Sequence, residues 1–242
     1  MIPLWLHALS VAMLLLGLCS ALVIAIDESR APQHMWIMNV VWPVTALFGP
    51  AITLWGYFAY GRLAAHDAMH GSKRGKASGK RPTPFPIMIG KGAAHCGSCC
   101  ALGDIAAEWL AFAMPGIAVW LGWPTIFSDK MFAVWVLDYI FAFCLGIVFQ
   151  YFTIAPMRDL SFWPGIAAAV KADTLSLTAW QIGMYAFMAF AQLYLFRRLF
   201  GVRLEVDSPE FWFMMQIAMI CGWLTSYPVN WWLLRTGIKE AM

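Results

Sequence analysis

A chain of 242 residues that is 62% hydrophobic and only 12% charged stands far from the roughly 25% charged content of an average soluble domain. Fourteen Trp and fifteen Met add to the apolar excess, gathered in blocks of about 20 residues, the length that crosses a hydrocarbon core. This composition excludes a soluble globular enzyme, and the formal charge of +3, carried by Lys and Arg between the blocks, reports orientation in a bilayer and gives no evidence for nucleic-acid binding.

Residues 3–26 form the first block, ended by Asp27-Glu28-Ser29-Arg30. No Lys or Arg precedes it and it exceeds an ordinary signal-peptide core, so it reads as a retained helix. The second block, about 35–60, contains Pro43 and Pro50, each of which removes a backbone donor and bends the helix. Residues 61–91 are the one long polar connection, rich in Gly, Ser and Lys, with Pro82-Thr83-Pro84-Phe85-Pro86 expected to be extended. The third and fourth blocks cover about 93–122 and 131–155. Residues 156–174 mix aromatic and charged residues and read as a segment lying at the interface. The fifth and sixth blocks are about 175–196 and 211–234.

The fold class that follows is all-α, a polytopic transmembrane helix bundle of about six spans, five or seven if the interfacial segment is counted differently. Residues 1–34 supply the first transmembrane helix and an external loop, and residues 35–242 the helical membrane domain with its basic cytoplasmic linker at 61–91. Six spans put both termini on one side. That side receives the linker's basic residues, two from 156–174 and two from the tail, eleven in all. The other side receives Arg30, Lys130, Arg197, Arg198 and Arg203. The excess of positive charge predicts cytoplasmic termini. The expected partners are the lipid bilayer, metal-handling or redox proteins, and further copies of the chain.

The chemistry concentrates in residues 91–108. His95, Cys96, Cys99, Cys100, Asp104 and Glu108 fall within fourteen residues, and on a helix Cys96, Cys100, Asp104 and Glu108 follow one another at i, i+4 along one face. Polar groups placed in an apolar helix face a protein interior or a cavity and mark functional sites. The alternative is packing, since a free Cys behaves as a small hydrophobe. His66 and His70, at i, i+4 in the linker, return to the same membrane surface as His95 and the cysteines. Reduced thiols and imidazoles in a cytoplasmic setting suit copper(I), zinc or iron and not magnesium or calcium. Asp104 and Glu108 continue the face toward mid-membrane. Asp138 joins them from the fourth span and is expected nearer the outer interface. Met38 and Met219 offer thioethers near the outer face, although a Met-rich apolar helix is usually core.

Four strings carry a family resemblance: Met38–Leu47, His95–Asp104, Lys171–Leu177 and Ser226–Leu233. Together they resemble the bacterial membrane family catalogued as domain of unknown function 4396, over a likeness running from about residue 35 to the C-terminus. Its His-Cys-Gly-x-Gly-Cys string is matched by His95, Cys96 and Cys100, while Cys99 replaces a glycine. The resemblance implies a location in the bacterial cytoplasmic (inner) membrane and no defined activity, with copper as a hint.

Three functions are compatible with these residues. The first is binding and handling, including transport, of a transition metal, with copper favoured and zinc or iron as alternatives. His95, Cys96 and Cys100 would be its core ligands, with His66, His70 and Cys99 beside them. Asp104, Glu108, Asp138, Met38 and Met219 would act as pathway or supporting groups. The second is a membrane oxidoreductase using Cys96 and Cys100 as redox thiols, or a catalytic metal. The third is a structural subunit of a larger membrane assembly. No nucleotide-binding loop, haem Cys-x-x-Cys-His motif or nucleophile elbow is present, which argues against a pump, a c-type cytochrome and a hydrolase.

Overall fold

The computed structural model describes residues 2–62 and 83–239; His66 and His70 lie outside them. The elements are α1 (Leu4–Arg30), α2 (Met38–Phe48), α3 (Pro50–Gly56, widening into a π-type turn at Tyr57–Gly61), α4 (Phe85–Ala113), the short α5 (Gly116–Trp120), α6 (Lys130–Arg158), α7 (Phe162–Ala189, continued to Phe200 in wider turns) and α8 (Pro209–Arg235). No β-strand occurs among the described residues. The fold is all-helical.

Three of these helices, α1, α4 and α6, are long and apolar enough to cross a membrane. The 28-residue α7 and 27-residue α8 match them in length. Their mean hydropathy is lowered by Asp173, Gln181, Glu210, Gln216 and Asn230, all buried inside the bundle. Two of the long helices carry a side-chain cap at their start. At α6 the Asp129 carboxylate accepts from Met131 N at 3.2 Å, and at α8 the Ser208 hydroxyl accepts from Phe211 N at 3.3 Å with Pro209 in the first turn. Both satisfy an otherwise orphaned amide.

The second apolar block does not cross. It breaks at Gly49-Pro50, and α3 folds back along α2. Trp42 meets the Tyr57 ring edge-on at 5.6 Å, a Cβ at Gly61 would lie 2.8 Å from the Trp42 ring, and the Thr53 hydroxyl donates to Thr45 O at 3.4 Å. Residues 42 and 61 on one straight helix would stand about 28 Å apart. The block is therefore a re-entrant helical hairpin. Its tip reaches the interior of the bundle, where Leu47 O accepts from Gln216 Nε2 at 2.6 Å and Phe48 packs edge-on against Trp180. Irregular backbone at this depth is tolerated because protein covers it.

This fold-back overturns the six-span count and the placement of both termini on one side. His7, in the first turns of α1, is bonded to Glu210 at 2.7 Å at the start of α8. Asp27, at the other end of α1, accepts from Arg62 Nε at 2.9 Å and from Tyr57 O–H at 2.8 Å. The loop after α1 thus lies at the same end of the bundle as Arg62, not opposite to it. The last described residue, Lys239, bonds Gly92 O at 3.1 Å near the start of α4, so the two chain ends sit at opposite ends of the bundle. Two further expectations change. Residues 162–174 are the first turns of α7 and not a separate interfacial segment, and residues 85–91, expected in the linker, already belong to α4, with Lys91 buried against the hairpin. Pro86 in the first turn of α4 costs no hydrogen bond there, which is why the proline-rich run opens a helix.

Close helix contacts run through small residues, as in membrane bundles generally. A Cβ at Gly103 would meet the Ala142 backbone N at 2.6 Å, so α4 and α6 touch at backbone distance. A Cβ at Gly97 would run into the Trp180 ring.

Candidate functional site

Helix α4 presents the stripe read from its sequence. Cys96, Cys100 and Asp104 are fully buried and Glu108 is nearly so. At 1.5 Å per residue the stripe runs about 18 Å along the axis, more than half of a hydrocarbon core.

At the Cys96 end four helical segments converge. The Cys96 thiol donates to Asp173 Oδ1 at 2.8 Å on α7 and lies 3.0 Å from Ser176 Oγ one turn further on. Ser176 Oγ accepts from Asn230 Nδ2 at 2.7 Å on α8. Into this group comes the ammonium of Lys239, donating to Asn230 Oδ1 at 2.8 Å, to Gly92 O at 3.1 Å and to Cys96 Sγ at 3.3 Å. Gly237 makes the approach work. Its φ of +69° ends α8 in the left-handed conformation, and Ile238 N bonds back to Leu233 O at 3.1 Å, which turns the chain inward after the helix. The other oxygen of Asp173, Oδ2, has no hydrogen-bond partner among the described residues and points at Gly146 of α6, where a Cβ would overlap it.

The neighbouring donors of α4 point elsewhere. His95 Nε2 is 3.1 Å from Thr153 Oγ1 on α6, whose own proton goes to Phe149 O at 3.0 Å. Thr153 must then accept, so Nε2 carries the imidazole proton. Nδ1 is left as a buried lone pair without a partner among the described residues. Cys99 donates back to Cys96 O at 2.9 Å and packs with Trp42 and Tyr57 of the hairpin and with Met38. Cys100 faces the core that holds Trp180 and Met219. The structure therefore does not gather His95, Cys96 and Cys100 into one cage. Among the described residues no group of three or more His, Cys, Asp or Glu could hold a metal ion. All six cysteines are free.

Further along α4, Asp104 Oδ1 accepts from Gln181 Nε2 of α7 at 3.4 Å, and its Oδ2 has no partner among the described residues. Asp138 of α6 lies within electrostatic reach of both Asp104 and Glu108, and neither of its oxygens is hydrogen-bonded among the described residues. Asp138 stands eight residues inside α6 and Glu108 five from the end of α4, and the Gly103–Ala142 and His95–Thr153 contacts between these antiparallel helices set the two carboxyls at nearly the same level. Glu108 lines a small cleft of about 90 Å³ at this end, open to solvent and shared with Lys130, Arg197, Arg203 and Glu205. Met219 lines a separate apolar cavity that also touches Asp104.

Sequence reasoning missed Asp173, Ser176, Asn230 and Lys239 as site residues. The available signal was that two of the four strings carrying the family resemblance contain Asp173, Ser176 and Asn230, although nothing in their spacing tied them to Cys96.

A helical membrane bundle threaded by a buried thiol, a lysine and four carboxyl groups defines a class of polytopic protein with a polar axis. The chain belongs to the family described as Domain of unknown function (DUF4396), whose sequence pattern matches residues 87–239. The matched stretch contains the whole Cys96–Lys239 group and excludes α1, the re-entrant hairpin and the Met38–Leu47 string. No curated protein and no solved structure matches the chain.

Proposed function

We propose that the protein is a bacterial inner-membrane transport protein that passes a cation along this axis, with copper as the favoured cargo and the Cys96 group as its entry point. One observation carries the reading. The Lys239 ammonium occupies a buried position ringed by a thiol, a carbonyl and an amide oxygen, beside the Asp173 carboxyl. A site that accommodates an ammonium in low dielectric has been built to compensate positive charge, since an uncompensated buried charge is costly. The sulfur among the donors favours a soft ion over magnesium or calcium.

The sparse donor set fits passage and not storage. A cargo must bind firmly enough to enter and weakly enough to leave, and a thiol–carboxylate pair is weaker than a closed cage of three or four ligands. His95 Nδ1 supplies a nearby lone pair, and Asp104, Asp138 and Glu108 continue the path to the far cleft. In this reading the far cleft faces the periplasm. The ends of α1, the hairpin, the linker and α8 face the cytoplasm, leaving Lys130, Arg197, Arg203 and Arg198 as the basic residues opposite, as the positive-inside tendency requires.

Copper uptake or release by proteoliposomes tests it. Cys96→Ala and Asp173→Asn should each abolish most of the flux, whereas Cys99→Ala should leave it nearly unchanged. Wild-type flux in the Cys96→Ala, Asp173→Asn double variant would overturn the reading.

A further inference from the structure

The cleft at the far end of the bundle gathers unspent charges of both signs. It lies where the end of α4 and the start of α6 meet the end of α7 and the connection to α8. Asp129 and Arg197 pair there at 3.4 Å and offset each other. Lys130, Arg203, Glu108 and Glu205 line the same cleft. None of these four side chains has a hydrogen-bond or ion-pair partner among the described residues.

The four are not equivalent. Glu108 is 6% exposed, and its carboxyl oxygens, unlike both of Asp138, are not sealed from the space they line. It forms the floor. Lys130 is half-buried, while Arg203 and Glu205 are exposed at the rim, where water and salt screen them. Lys130 lies within electrostatic reach of Glu108 but beyond ion-pair distance. The cleft thus keeps a largely desolvated carboxyl and two unpaired cations apart from one another, at a mouth open to water. Its volume of about 90 Å³ holds roughly six to nine water-sized groups, which excludes a phospholipid or a peptide as the occupant.

We propose that this cleft binds a small aliphatic zwitterion, a primary ammonium joined by a short methylene chain to a carboxylate. The ammonium donates to Glu108 at the floor, where the lower dielectric strengthens the attraction. The carboxylate accepts from Lys130 and from Arg203, whose planar fork matches its two oxygens. Val134 and Phe211 supply apolar wall for the methylenes. An amine alone leaves the two cations unpaired, and a carboxylate alone leaves Glu108 unpaired, so the site selects for both ends at once. This binding requires neither copper nor the Cys96 group.

Calorimetric titration of the full chain in phosphatidylcholine nanodiscs, without added metal, tests it with β-alanine, propylamine and propionate as probes. β-Alanine should bind saturably and at least about tenfold tighter than either half-ligand, since one further charge-assisted hydrogen bond accounts for that factor. Glu108→Gln keeps volume and loses the charge, and Arg203→Gln alters an exposed side chain; each should weaken β-alanine binding at least about tenfold without changing the unfolding midpoint appreciably. The proposal is overturned by the absence of saturable β-alanine binding to the wild type, by equal affinity for propylamine or propionate, or by unchanged affinity in either variant. Loss of β-alanine binding when phosphatidylethanolamine replaces phosphatidylcholine would also overturn it, because the occupant would then be the lipid's own ammonium and phosphate. Copper flux enters none of these measurements, so failure here and failure of cation passage are separate results.

Discussion

Asp27 and Arg62 form an ion pair at 2.9 Å across thirty-five residues of chain, joining the end of α1 to the end of the re-entrant hairpin. Because the hairpin returns to the side it entered from, α1 runs opposite to the direction that six crossings would give it. Reporter or cysteine-labelling sites before Trp5 and near Lys76 should therefore report opposite sides of the membrane, and sites near Lys76 and after Lys239 the same side. Labelling of all three positions from one side would refute the hairpin.

Lys239 and Asp173 should behave as coupled charges. Asp173→Asn removes a carboxyl that lies within electrostatic reach of the ammonium and accepts from Cys96, and should destabilise the protein by about 1–3 kcal/mol. In a Lys239→Met background the same change should cost much less. Thermal unfolding in detergent of the four proteins gives the cycle, and strictly additive effects would show that the two groups do not sense each other.

Gly237 delivers Lys239. Replacing it with Val forces a β-branched residue into the left-handed region, and Lys239 should be released from the bundle. The expected readout is faster alkylation of Cys96 by a small maleimide, because the ammonium at 3.3 Å from its sulfur no longer covers it. Unchanged alkylation would mean that the tail is held by something other than this turn.

Gly146→Ala should destabilise by about 1–3 kcal/mol, the typical cost of overpacking, because the new methyl overlaps Asp173 Oδ2. Asp173→Ser in the same chain should recover part of the loss by making room. A tolerated Gly146→Ala in the wild-type background would show that α6 can step back from α7 without penalty.

Asp138 is fully buried with both oxygens unpartnered among the described residues. Asp138→Leu should therefore stabilise the fold, by about 1–3 kcal/mol for the desolvation penalty removed, while suppressing flux. Glu108→Gln should be nearly neutral for folding, since Glu108 meets the solvent-open cleft, and should also reduce flux. If Asp138→Leu unfolds the protein, the carboxyl has a structural partner in the membrane-embedded state.

The stripe on α4 was legible because it is local: four polar residues at i, i+4 on one apolar helix can only share a face. The hairpin was not. An apolar run of about 25 residues with Pro43 and Pro50 reads equally as a bent crossing or a fold-back, and what decides is a contact between Trp42 and Gly61 that no hydropathy window contains. The members of the Cys96 group were illegible as a group for the same reason. Asp173 is 77 residues and Lys239 143 residues away from Cys96, and only packing brings them together. Cys99 and Cys100 show the limit of motif reading. One residue apart, they are turned about 100° from each other and enter different cores.

Asp104 lies between Gln181, which holds one of its oxygens, and an apolar cavity lined also by Met215 and Met219. A single carboxyl group cannot satisfy both sides independently. An occupant of that cavity would alter the energy of a proton at Asp104, and the charge on Asp104 would alter the cavity's affinity by the same factor, because linkage between two sites is reciprocal. The fold thus ties what that cavity holds to the charge state of a carboxyl on the polar stripe of α4.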